Sequence, residues 1–154
     1  MSKQSNSAHC FACGLESEYG LKLSFYSEGD QSVTCDYVVP ERFQGFPGTV
    51  HGGIVASILD EILVRAFMAS DPDRFMYTGK LTIRYRHPVP IGEKLRGVGS
   101  VVKDRGRIGE AEAKLYNSEN LLLAEAEALV VEFPKDEMNE DIKELGWQVY
   151  PDKE

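Results

Sequence analysis

The chain has 154 residues, 42% hydrophobic and 10% aromatic. That suits one globular domain able to bury ~70% of its unfolded surface without disulfide staples. A formal net charge of -8 and a pI near 4.9 argue against a nucleic-acid partner, which needs clustered Lys and Arg, but leave room for a small anionic ligand on a local basic patch.

The N-terminus, MSKQSNSAHC, is polar and lacks the apolar core of a signal peptide. No run reaches the ~18 apolar residues of a membrane span. Three cysteines, an odd number, give no disulfide framework. Together these predict a cytoplasmic protein with no membrane partner.

In chain order, residues 1–20 form a polar segment carrying the cluster HCFACG at 9–14. LKLSFYSE (21–28) alternates Leu21, Leu23 and Phe25 against Lys22, Ser24 and Tyr26, the period of a strand. Gly29 and Asp30 turn the chain into SVTCDYVV (32–39), the returning strand. PERFQGFPGTV (40–50) is a loop, rich in Pro and Gly. A helix follows over 52–69, with Asp71 and Pro72 as its stop.

The second half predicts four strands in a run of hairpins: 76–87, 94–104, 107–117 and 120–133, the last two joined by a tight Ser-Glu turn. Residues 134–154 form a tail with a short amphipathic helix at about 136–145. This order predicts an antiparallel α+β domain over 21–133, one helix against one sheet. Ala111 and Ala113 share a strand face, as do Ala124, Ala126 and Ala128, so a helix or a second subunit can approach closely. Open sheet edges predict a homodimer.

The helix carries adjacent carboxylates, Asp60 and Glu61. Glu61 has Arg65 four residues on, the favourable order for an ion pair. Asp60 has Ala56, Ser57, Leu63 and Val64 as its helix neighbours, with no cation among them. It either faces water at the helix edge or is a costly buried charge of the kind found at functional sites. His51-Gly52-Gly53 opens the helix, where unpaired amides and the dipole favour an anion or a developing oxyanion. Asp60 lies ~12 Å along the axis from Gly52, so both reach one atom only if a second subunit brings its own Asp60 near this Gly52.

At these residues GFPGTVHGGIVASILDE resembles the signature of hotdog-fold acyl-CoA thioesterases of the phenylacetyl-CoA thioesterase and human thioesterase-superfamily type. Members carry an acid seven residues after the second Gly of His-Gly-Gly, the position of Asp60. TGKLTIRYRHPVPIGEKL is similar to the family's Arg-Pro-x-Pro segment, with His87 where Arg is more usual, and CFACG…GLKLSF occurs in a subset. The resemblance covers about residues 10–133. It implies an antiparallel sheet wrapped around one long helix, in dimers and often in tetramers built as dimers of dimers. It also implies hydrolysis of an acyl-CoA thioester to acid and CoA, with no cofactor.

By position, Asp60 is then the general base or the nucleophile, and the Gly52 N–H polarises the thioester carbonyl from the other subunit. Thr78 matches a hydroxyl position beside the carboxylate, and Gln44 lies one residue from a water-orienting Asn. Strict strand parity aims Thr78 with Lys80, Thr82 and Arg84, away from the helix; a bulge near Gly79, or a site outside the main core, would reconcile the two.

His51 is a candidate for ligand contact or catalysis, or else orients the turn. Gly53 leaves space for substrate. Arg84, Arg86, His87, Arg105 and Arg107 are candidates for the CoA phosphates or ordinary solvated charge. Cys10 and Cys13, beside His9, have the spacing of half a zinc site. A structural site needs four ligands and leaves only Cys35 as a further thiolate, so no metal is expected. Two other functions fit: a hotdog-fold dehydratase or hydratase pairing His51 with Asp60, or a non-catalytic acyl-CoA binding module.

Overall fold

The computed structural model describes residues 1–134, 136, 144 and 146–152. Its strands are β1 (Ser2–Lys3), β2 (Tyr26–Ser27), β3 (Ser32–Val38), β4 (Met76–Tyr85), β5 (Lys94–Asp104), β6 (Ile108–Tyr116) and β7 (Leu122–Glu132). Helix α1 (Gly52–Arg65) separates β3 from β4. The strands make one antiparallel sheet in the order β1-β2-β3-β5-β6-β7-β4. The sheet curves around α1, which touches β3, β4, β5, β6 and β7. This is the expected hotdog architecture.

Val55, Ile58, Leu59, Ile62 and Leu63 of α1 recur three and four residues apart and are all buried. Opposite them the sheet is lined by small residues. The five alanines Ala111, Ala113, Ala124, Ala126 and Ala128 are buried. A Cβ on Gly97 would lie 2.4 Å from Ile62 Cδ1, and one on Gly109 2.5 Å from the Phe67 ring. It is the helix, then, that uses the close approach these small side chains allow. Residues 1–20 join the same core through Ala12 and Cys13.

Four details differ from the sequence reading. Leu21, Leu23 and Phe25 are buried in alternation, yet only Tyr26–Ser27 of 21–28 pairs as a strand. Lys22 takes a positive φ of 57°, and Leu21 N and Leu23 N donate to Phe11 O and Ala12 O. The cysteine loop has taken the place of a neighbouring strand. The α-helix ends at Arg65, and Ala66–Ala69 tightens into a 3-10 turn.

The β6–β7 turn is longer than Ser-Glu: Asn117 Oδ1 accepts from Glu119 N and Leu121 N, and Asn120 is left-handed at φ 62°. Finally, β4 and β5 form no hairpin. Pro88 and Pro90 have no N–H for a ladder. The connection instead crosses the end of the sheet, where His87 N donates to Leu123 O and Gly92 N to Val39 O. β4 therefore lies at the far edge, beyond β7.

The tail helix expected at 136–145 lies outside the described residues, apart from Asp136 and Glu144. No helix among the described residues is long and apolar enough to cross a membrane.

Candidate active site

The start of α1 is built by its own sequence. His51 is the N-cap, and its Nδ1 accepts from Gly53 N at 2.9 Å. A Cβ on Gly53 would crowd that imidazole at 3.1 Å, so Gly53 serves the cap. Gly52 is different. A Cβ there would meet the Tyr85 ring at an ordinary 3.8 Å, so packing does not require glycine. Gly52 is exposed, and its N–H has no acceptor among the described residues. Ser57 Oγ and Tyr85 Oη donate to the Gly53 and Gly52 carbonyls at 2.9 and 2.7 Å.

Two turns along, Asp60 is half-buried, and its Oδ1 accepts from Thr78 Oγ1 at 2.5 Å. The strand-parity objection is resolved by a bulge. The β4–β7 register slips between Thr78 and Lys80: Thr78 lies opposite buried Val130, and Lys80 opposite exposed Leu129. With Gly79 as the extra residue, Thr78 faces the helix, and so do Leu81 opposite Ala128 and Ile83 opposite Ala126. Burial raises the Asp60 pKa, the Thr78 hydrogen bond works against that rise, and the neighbouring Glu61 charge adds to it. A partly dehydrated, oriented carboxylate whose second oxygen has no hydrogen bond among the described residues is suited to accept a proton or to attack a carbonyl.

Glu61 pairs with Arg65 at 3.0 Å as the spacing predicts, although Arg65 is buried rather than solvated. Gln44 is exposed; it closes its own loop by accepting from Gly48 N at 3.4 Å and bridging Val50, and no hydrogen bond joins it to Asp60. The basic candidates divide into two groups. Arg84, Arg86 and His87 lie where β4 meets the start of β7, whereas Arg107 adjoins Ile108, opposite Val131. Glu125 and Val131 are six residues apart on β7, ~20 Å at strand rise. Arg86 also spends its charge on Glu125 at 2.8 Å.

Tyr85 is the site residue that sequence reasoning passed over. Its parity with Leu81 and Ile83 marked it as inward-facing, but nothing local showed that its hydroxyl reaches the helix start.

A curved antiparallel sheet around one helix defines a hotdog fold, and here it places an open amide at the helix start and an oriented acid two turns on. Residues 47–124, just over half of the chain, match the family model described as the thioesterase superfamily, and the chain belongs to that superfamily.

Over 90 residues the chain is 31% identical to acyl-coenzyme A thioesterase THEM4 of Rattus norvegicus, covering 58% of this chain and 38% of that protein. Over 96 residues it is 26% identical to acyl-coenzyme A thioesterase 13 of Mus musculus, covering 62% of this chain and 69% of that protein. A crystal structure of a thioesterase superfamily protein superposes with a TM-score of 0.71 at 26% identity, covering 80% of this chain and 60% of that one. The match thus spans well under half of the rat relative's length.

Proposed function

We infer that the protein is an acyl-CoA thioesterase whose active site is shared between two subunits. The observation that carries this reading is the Thr78–Asp60 hydrogen bond on one edge strand, with Tyr85 of that strand holding the Gly52 end of the helix.

β4 is a ten-residue sheet edge, and an open edge invites pairing with a second copy. Two β4 strands paired antiparallel about an axis between Leu81 and Thr82 would set Thr78 of one copy beside Tyr85 of the other. Each Asp60 would then face the partner's Gly52 N–H. Further pairing of dimers into a tetramer would leave this arrangement intact.

In the reaction, Asp60 takes a proton from water as the water oxygen bonds to the thioester carbon. The carbonyl oxygen becomes an oxyanion held by the Gly52 N–H. Collapse breaks the C–S bond, and the CoA thiolate leaves with the proton that Asp60 held. No cofactor is required. Gly53 leaves room for the His51 imidazole, which holds the geometry of the helix start through the cap. Arg84 and His87, and separately Arg107, serve as contacts for the CoA phosphates, while Arg86 pairs with Glu125 and Gln44 closes the loop before the helix. The relatives named acyl-coenzyme A thioesterases support the substrate class, and three free cysteines suit a reducing cytoplasm.

The test is free-thiol release from short, medium, long and aromatic acyl-CoAs by wild type and Asp60→Asn. Hydrolysis falling by ~10²-fold or more in the variant is expected for loss of a general base. Wild-type activity in Asp60→Asn would refute the assignment. Acyl-CoA binding without thiol release in the wild type would favour the binding module or a hydratase.

A further inference from the structure

The cysteine loop is held more tightly than a surface turn requires. Cys10 N donates to Ser7 Oγ at 2.9 Å and Gly14 N to Cys10 O at 2.8 Å. Asn6 Nδ2, in a fully buried residue, bridges Cys13 O and Leu23 O at 2.7 Å each. A Cβ on Gly14 would lie 2.5 Å from the Cys10 backbone, so the turn closes only with glycine there. These restraints bring the two sulfurs together and aim them at α1. The Cys10 and Cys13 sulfurs and a Glu61 carboxylate oxygen all lie within 4.8 Å of one another.

We propose that Cys10, Cys13 and Glu61 bind one zinc ion, with the fourth coordination position taken by water. The sequence offered half a site, with His9 beside it and Cys35 as the one further thiolate. The fold supplies the third ligand from the helix, on the face next to Asp60. Zinc bonds of ~2.3 Å to sulfur and ~2.0–2.2 Å to oxygen place tetrahedral ligand atoms ~3.5–3.8 Å apart, inside the 4.8 Å that bounds the cluster.

Charge also fits. Two thiolates and one carboxylate carry -3, zinc +2, and the buried guanidinium of Arg65 +1, so the loaded site is neutral. Arg65 Nε holds Glu61 Oε1 at 3.0 Å, an outer partner of the sort that orients a carboxylate ligand. Its Nη2 has no partner among the described residues, so the guanidinium is not already neutralised by several anions. A zinc ion there would tie the N-terminal segment to α1 through an open site, one protein ligand short of the four of a closed structural site.

The test is titration of the reduced, metal-stripped full chain with Co²⁺ and then Zn²⁺. One equivalent of cobalt should give a thiolate-to-cobalt charge-transfer band and the visible bands of four-coordinate cobalt, displaced by zinc. Glu61→Gln keeps an acceptor for Arg65, so it preserves the fold. It should weaken zinc binding by more than the ~10–100-fold typical of an outer-sphere change and abolish the zinc-dependent rise in Tm seen in the wild type. Cys10→Ser should remove one thiolate's share of the charge-transfer intensity. Absence of that band in the folded, reduced wild type, or zinc affinity unchanged in Glu61→Gln, would overturn the proposal.

Discussion

Asp60 is held between opposing influences. Burial disfavours its charged form and raises its pKa, while the Thr78 hydroxyl donates to the charged form and lowers it. As the proposed base, Asp60 must be ionised to work, so the acid limb of kcat/KM should have its midpoint above the ordinary Asp value of 3.8. Thr78→Val leaves burial unopposed, and the limb should move to still higher pH. At neutral pH kcat/KM should fall ~10–100-fold, the worth of a hydrogen bond to a charged group. A limb that stays in place, measured by pH-rate profiles of both proteins, would show that the hydroxyl does not act through the carboxylate. Asp60 itself was legible in the sequence, because a helix-interior acid without a cation at three or four residues stands out. Thr78 was not legible from parity alone, since one inserted residue at Gly79 reverses the face of everything before it.

At the scale of elements, the distance between helix and sheet is set by what the strands lack. A Cβ on Gly99 would lie 2.7 Å from Ile62 Cγ2 and 2.8 Å from the Ile62 carbonyl oxygen. A side chain can rotate away, but helix backbone cannot. Gly99→Ala should therefore destabilise the fold by ~1–3 kcal/mol, as overpacking does. Gly106→Ala meets no atom within 4 Å and carries only the strain of its φ of 82°. Urea denaturation compares the two, and equal stability of wild type and Gly99→Ala would contradict the packing described. The alanine faces of β6 and β7 were readable from period-two spacing, whereas these glycines read as ordinary turn or strand residues. The placement of β4 beyond β7 was hidden too, because hairpin logic pairs neighbours in sequence and Pro88 and Pro90 alone do not say where the strand goes instead. Glu61 shows the same limit: its pairing with Arg65 was visible, but its approach to Cys10 and Cys13 depends on contacts between distant segments.

For the whole molecule, the proposed two-fold assembly would pair the long β4 edge and close the separation of Gly52 from Asp60 across the subunits. Subunit mixing tests the shared site most directly. Gly52→Pro deletes the N–H at the first helical position, where proline fits and the preceding His51 is already extended; loss of an oxyanion donor should cost ~10²–10³ in kcat. Asp60→Asn and Gly52→Pro homodimers should each be nearly silent in acyl-CoA hydrolysis. In a co-expressed hybrid dimer one site carries both changes and the other carries neither, so about half the wild-type activity per dimer should return, following the oxyanion-donor and general-base logic above. A hybrid as silent as its parents would mean that Asp60 and the Gly52 N–H do not meet across the subunit boundary.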